Sequence, residues 1–405
     1  MAGSSHVLES PPSSSTPILD RVIPLPILPK RSKRKWKSEL LRALLGGAVA
    51  FVLAFVLLPA FRRGLFAMQS IHLHAIFARE ISYAIFVCAS YFLAMIIHET
   101  GHLIAGLCSG YRMNYMRVGP IQINSRFRVS RAPRSGVGLA GLASLFPRRK
   151  DGVHARAIVY ILGGPLANLI SAGCVLLFPR PLSSFAICFA GVSLLLGLRS
   201  LMPFVMLGVA SDGSRLLMVW RRTHQGERWL AIMQLYSALW DGVLPENLDS
   251  EMLEKAIAVI DPLPDTVVGY QLAYWAALHL HRDEDAARLL ETALQYYPYV
   301  WLPGKEELLL SAAIFHATRG GRVDLAEQWL KELPQKLQTP GLREQAEAAI
   351  LEGRKEPEAA LAKLGQSEKA ISEMPAGFDH DKWFRSVVRW QNELKTQVAA
   401  SSTAV

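Results

Sequence analysis

His98-Glu99-Thr100-Gly101-His102 stands inside an apolar stretch at 81–107, and its reading decides the rest of the chain. On a helix, residues four apart share a face, so His98 and His102 present both imidazoles to one point where they can grip a metal ion. The carboxylate of Glu99 then sits beside the metal, placed to take a proton from a bound water. Two histidines and a glutamate are costly in so apolar a segment, and ionisable groups there are functional suspects. The competing reading is a chance match whose histidines hydrogen-bond to neighbouring helices. The membrane-like context weighs against it.

Working outward, the 405 residues divide into two halves of different kind. The first 210 or so are rich in Leu, Ala, Val, Phe and Gly, whereas after about Gly226 the chain turns to Glu, Lys, Arg, Gln and Ala with short apolar repeats. The formal charge of +10 is gathered in short segments beside apolar runs. That is how membrane proteins fix their orientation, and it argues against a nucleic-acid partner. Cys88, Cys108, Cys174 and Cys188 all lie in or beside apolar runs. With neither metal-type nor disulfide spacing, they read as small apolar fillers.

Apolar runs at about 40–60, 81–107, 155–178 and 184–208 each approach or exceed the length that spans a bilayer. Residues 1–39 read as a disordered tail that ends in the basic anchor Lys30-Arg31-Ser32-Lys33-Arg34-Lys35. Between the second and third runs lie Arg112, Arg117, Arg126, Arg128, Arg131, Arg134, Arg148, Arg149 and Lys150, against the single acid Asp151. This basic loop and both termini are therefore expected in the cytoplasm. The 62–80 loop, with His72 and His74, then falls on the far side, away from the metal-binding end. Alternating Ile121, Ile123, Phe127 and Val129 around Asn124-Ser125 read as a β-hairpin, which either pairs with an extended substrate or only covers the site.

Two further motifs follow. Gly163-Gly164-Pro165-Leu166-Ala167-Asn168 is expected to interrupt the third run, and Ser211-Asp212-Gly213 closes the fourth. Taken singly, the first also fits an ordinary kink with a packing Asn, and the second a helix cap. Together with His-Glu-x-x-His they resemble the site-2 protease family of intramembrane zinc metalloproteases, over about residues 81–220. The resemblance implies His98, His102 and Asp212 as zinc ligands and Glu99 as general base. It also implies that Asn168 positions substrate or stabilises an oxyanion. The sequence departs from the family pattern after Pro203, where a longer apolar spacer precedes Asp212, Ser211 replaces an apolar residue and Ser214 stands where a second Gly is common. Asp151 and His154 are the alternative third ligands.

From about Glu227 the pattern is helical throughout. Segments at 285–293, 324–330 and 357–364 share small Ala and bulky Leu or Trp on one face, and they resemble second helices of tetratricopeptide-type repeats. A generic helical domain is the other reading. His279 and His281 flank Leu280, cannot share a helix face, and read as packing or surface residues.

The expected fold is thus an α-helical polytopic membrane protein of about four transmembrane helices with a small membrane-associated β-hairpin, plus an all-α cytoplasmic repeat domain. Its expected parts are the tail 1–39, a metalloprotease domain at 40–220, a helical domain at 227–395 and a disordered tail at 396–405. The expected activity is zinc-dependent hydrolysis of peptide bonds in or near membrane segments of other proteins, in a bacterial cytoplasmic membrane. A protein partner is expected on the helical domain. The alternatives are a catalytically silent relative acting as a scaffold, and a transporter, although no inverted repeat is visible.

Overall fold

The computed structural model describes residues 73–131, 141–177, 183–206, 209–261, 263–296, 306–333, 337, 339–374 and 377–403. The expected 1–39 tail and the expected first span at 40–60 lie outside them. The chain is mostly helical with a small antiparallel sheet. Helix α1 (Leu73–Cys108) is one continuous apolar rod. It begins eight residues before the expected start, so His74 belongs to the helix and not to a loop. It stops at Ser109-Gly110, where Gly110 takes a φ of +80° that side chains disfavour.

The sheet follows at once: β1 (Tyr111–Val118), β2 (Ile121–Asn124), β3 (Val129–Arg131) and β4 (Gly141–Pro147), in spatial order β3-β2-β1-β4. The expected hairpin is therefore the β2–β3 part of a four-stranded sheet. Its turn is built by Asn124, whose side-chain oxygen accepts the amides of Arg126 and Arg128, both at 3.0 Å. Phe127 sits in that turn at φ 57°, outside any strand. Leu145, Tyr111 and Met113 bury one face of the sheet against Leu103 of α1.

Helix α2 (Val153–Leu177) and helix α3 (Ser184–Leu201) both pack on α1 and on each other. Among the described residues two helices are long and apolar enough to cross a membrane, Ile85–Cys108 and Val153–Leu177, while Phe185–Leu201 is a shorter apolar helix. The expected fourth run thus stops being helical at Leu201. Pro203 cannot continue the ladder, and the chain turns into the short strands β5 (Val205–Met206) and β6 (Val209–Ala210).

Helices α4 (Asp212–Trp220) and α5 (His224–Trp240) lead into a helical array: α6 (Ser250–Ile257), α7 (Pro264–His279), α8 (Asp283–Tyr296), α9 (Glu306–Thr318), α10 (Val323–Glu332), α11 (Leu342–Gly353), α12 (Pro357–Ser372) and α13 (Phe378–Thr403). Among the described residues no strand follows Ala210. Helices α7–α8, α9–α10 and α11–α12 pack as successive pairs. Their second members contain the three segments whose Ala and Leu or Trp spacing suggested repeats, and Ala286, Leu290, Ala326, Trp329, Ala360 and Leu364 are buried. Helix α13 runs through Thr403, so the expected disordered end at 396–405 is helical over most of its length.

The two halves are packed together. Leu230 of α5 is buried with Val153, Ala157 and Ile161 of α2. Phe146 of β4 meets Tyr236 and Trp240 of α5 and Phe378 of α13, at ring centroid distances of 5.4–5.9 Å. A bulge in β1 between Met113 and Tyr115 frees the buried Asn114, whose side-chain oxygen accepts the amide of Phe378 at 3.3 Å.

Candidate metal centre

The face of α1 that carries His98 and His102 is set by how closely α2 can approach. A methyl group on Gly101 would fall on the carbonyl oxygen of Gly163, and one on Gly163 would fall on the carbonyl of Gly101 and on Ala105. Small residues on both helices let the backbones meet. Gly164 leaves room for the His102 ring in the same way. This corrects the expected interruption: α2 is unbroken through Pro165, and the two glycines serve close packing rather than unwinding.

Asp212 is delivered from the other side. The longer spacer after Pro203 folds as the β5–β6 pair, in which Val205 faces Ala210 and Met206 faces Val209. Ser211 pins it: its hydroxyl donates to the Met202 carbonyl at 2.7 Å and accepts the amides of Phe204 and Ser214. Ser214 adds a bond to the Phe204 carbonyl at 2.9 Å. The departures from the family pattern thus form one local structure that caps α4 and aims Asp212 inward. A methyl group on Gly213 would strike the Leu201 carbonyl, so the residue after Asp212 has to be small.

The three side chains converge. His98 Nε2 lies 3.1 Å from Asp212 Oδ2 and 3.2 Å from His102 Nε2, and His102 Nε2 lies 3.5 Å from Asp212 Oδ1. One donor atom from each falls within 4.8 Å of the others, a group that can hold a metal ion. Burial works against the charge of Asp212, but the two facing imidazoles hold its carboxyl well below the usual range. The remaining ring nitrogens are occupied from α2. His102 Nδ1 lies 2.9 Å from the Tyr160 carbonyl, which can only accept, and 3.3 Å from the Gly164 amide; the shorter contact favours the proton on Nδ1, which leaves Nε2 with a free lone pair. His98 Nδ1 lies 3.3 Å from the side-chain nitrogen of Asn168, a fully buried residue whose side-chain oxygen is left without a partner among the described residues. With the amide oxygen turned to the ring, it accepts Nδ1–H and leaves His98 Nε2 free as well. Asn168 is thereby placed to orient the His98 ring, a contact the sequence reading did not assign to it. Its own backbone carbonyl is held by Ser171 and by Ser193 of α3.

Glu99 is 6 % exposed and lies against Gly141 of β4, where a side chain would collide with its carboxylate. At Ala143 the outer edge of β4 is engaged, since the Tyr160 hydroxyl donates to the Ala143 carbonyl at 2.6 Å. At that point the sheet covers the site. The sequence reading missed Tyr160, Gly141 and Ala143. Tyr160 stands four residues before Gly164, on the α2 face that meets α1, and that spacing was the one available signal.

The alternative third ligands are engaged elsewhere. His154 Nε2 is 2.6 Å from Glu227, and Asp151 accepts from Arg156 at 2.6 Å. His72 lies outside the described residues. Compared with protein families, with curated proteins and with solved structures, the chain matches none at a significant level.

Proposed function

We propose that this chain is an intramembrane zinc endopeptidase of the site-2 protease type, cutting peptide bonds in or near transmembrane segments of other membrane proteins. The observation that carries the reading is the meeting of His98 and His102 of α1 with Asp212 of α4, with Glu99 buried one residue from the first histidine. Two imidazoles and one carboxylate are the donor set of a catalytic zinc site that keeps one position open. Both imidazoles have their second nitrogen tied down, as zinc-bound histidines require.

Zinc, when bound, supplies a Lewis acid that brings the pKa of water toward neutrality. The residues of this chain do the rest. Glu99, too buried to be well solvated, accepts the proton of the attacking water and later hands it to the leaving amine. Asn168 and the Tyr160 carbonyl hold the imidazoles in the tautomer that leaves Nε2 open to the metal. The sheet closes one side of the site against bulk water. A helical substrate has its carbonyls hydrogen-bonded, so local unwinding must precede attack.

In this reading the chain is multi-pass, the spans being the 40–60 run, α1, α2 and the shorter α3. The arginine-rich segment at 112–150 and the helical array then share the cytoplasmic side. The array fits a protein-binding role in choosing substrates. The test is cleavage of a membrane-inserted peptide by wild type and Glu99→Gln, with zinc measured in both. Wild-type cleavage that vanishes in a zinc-loaded Glu99→Gln variant supports the enzyme. Zinc-loaded wild type that cuts no membrane peptide leaves the scaffold alternative standing.

A further inference from the structure

Tyr160 serves the site twice, and only one of its two contacts reaches a metal ligand. Its backbone carbonyl meets His102 Nδ1 at 2.9 Å, while its hydroxyl leaves α2 for the sheet and donates to the Ala143 carbonyl of β4 at 2.6 Å. The ring between these two groups is held in place, stacked on Tyr111 with centroids 5.2 Å apart and 25° between the planes.

Ala143 stands two residues after Gly141, and residues two apart in a strand turn their backbone groups to the same edge. Gly141 is the first residue of β4, and the Glu99 carboxylate rests against it with no room for a side chain between them. The other edge of β4 is paired with β1, but that ladder is irregular close by. A bulge between Met113 and Tyr115 shifts the register opposite Leu145 and Ser144, next to Ala143. The far end of β4 is tied to α5, where the Ser237 hydroxyl donates to the Pro147 carbonyl. At the end that bears on Glu99, the hold from outside the sheet is the Tyr160 hydroxyl.

We propose that this hydroxyl is a positioning group for Glu99: it clamps β4 at Ala143, so that Gly141 backs the carboxylate and keeps it beside the converging His98, His102 and Asp212. One residue of α2 then fixes the ring of a ligand through its backbone and the seat of the base through its side chain. The role rests on the protease reading, since only there does the placement of Glu99 set a rate. Small displacements of a catalytic group are costly, an error of about 1 Å being worth up to about 100-fold.

The experiment compares full-length wild type, Tyr160→Phe and Tyr111→Phe in nanodiscs. Tyr160→Phe keeps the ring and the backbone carbonyl and deletes only the bond to Ala143. Tyr111→Phe is the control, because it removes a hydroxyl from the stacked partner, a residue 2 % exposed whose hydroxyl has no hydrogen-bond partner among the described residues. Zinc affinity is measured by chelator competition, the hold on β4 by amide hydrogen exchange across 141–147, and catalysis by kcat and KM on a membrane-inserted peptide. Tyr160→Phe should keep zinc affinity, speed exchange across 141–147 by about 2–10-fold, the worth of one hydrogen bond, and lower kcat by about 10–100-fold with KM little changed. Tyr111→Phe should match wild type in all three. Unchanged exchange in Tyr160→Phe, faster exchange with wild-type kcat, a loss confined to KM, a loss of zinc, or the same losses in Tyr111→Phe would each overturn the clamp. Zinc-loaded wild type that cuts no peptide would overturn the protease reading itself and any role in its rate; wild type that cuts, beside a Tyr160→Phe variant that cuts as fast, would overturn the clamp alone.

Discussion

Replacing Asn168 by alanine should cost zinc affinity, and the size of the loss can be worked from the surroundings of His98. The Nδ1 of that ring has one hydrogen-bonding neighbour, the Asn168 amide at 3.3 Å, inside a contact from which water is excluded. Deleting the amide leaves a buried Nδ1–H unpaired and frees the ring to turn. Losses of this kind at metal-bound histidines run to about 10–100-fold in affinity, or roughly 1.4–2.8 kcal/mol. Asn168→Leu should behave like alanine, because it restores volume but no acceptor. Asn168→Asp should hold zinc at least as well as wild type, since a carboxylate accepts the same proton and makes the ring more basic. The assay is competition against a chromophoric chelator, with cleavage followed in parallel. If Asn168→Ala keeps wild-type zinc affinity but loses cleavage, the amide faces the substrate and the positioning role is refuted.

Three other outcomes follow from the same structure. Glu99→Gln should retain zinc while lowering turnover by about 10²–10⁴-fold, the usual contribution of a general base; unchanged turnover would place the base elsewhere. Phe378→Ala removes a ring that is 3 % exposed among Phe146, Tyr236 and Trp240, and should destabilise the joint between sheet and array by about 3–5 kcal/mol. Limited proteolysis should then cut earlier between α5 and α6, and wild-type resistance would mean that the two halves do not depend on this contact. Reporters placed after Val405 and within 112–150 should both read as cytoplasmic, and an external reading at either point would remove the multi-pass arrangement.

The parts that sequence revealed and the parts it hid divide along physical lines. His98 and His102 were legible because helical periodicity alone places them together. Asp212 was legible by its order in the chain, yet nothing in the letters Phe204–Ala210 told that the spacer folds back as a strand pair and that Ser211 pins it. Gly163 and Gly164 were misread, since glycine loosens a lone helix but admits a close neighbour in a packed one, and a sequence does not show the neighbour. The β2–β3 hairpin announced itself through Ile121, Ile123 and Asn124. Strand β4 did not, because Leu142, Ala143, Leu145 and Phe146 put apolar groups on both faces and erase the alternation. The stretch Thr223–Gly226 looks like a junction between two kinds of composition. In the fold Thr223 caps α5, and Gly226 packs so closely on the Met218 carbonyl that no side chain fits.

The account stands or falls on the metal. Purified wild-type protein should carry about one zinc per chain, a content that dialysis against buffer does not remove. His98→Ala and Asp212→Ala should lose it or hold it weakly, whereas Asp151→Ala and His154→Ala should keep it, because those residues are paired with Arg156 and Glu227 away from the site. A folded wild-type protein without zinc, or an Asp212→Ala variant with its full complement, would contradict the central claim.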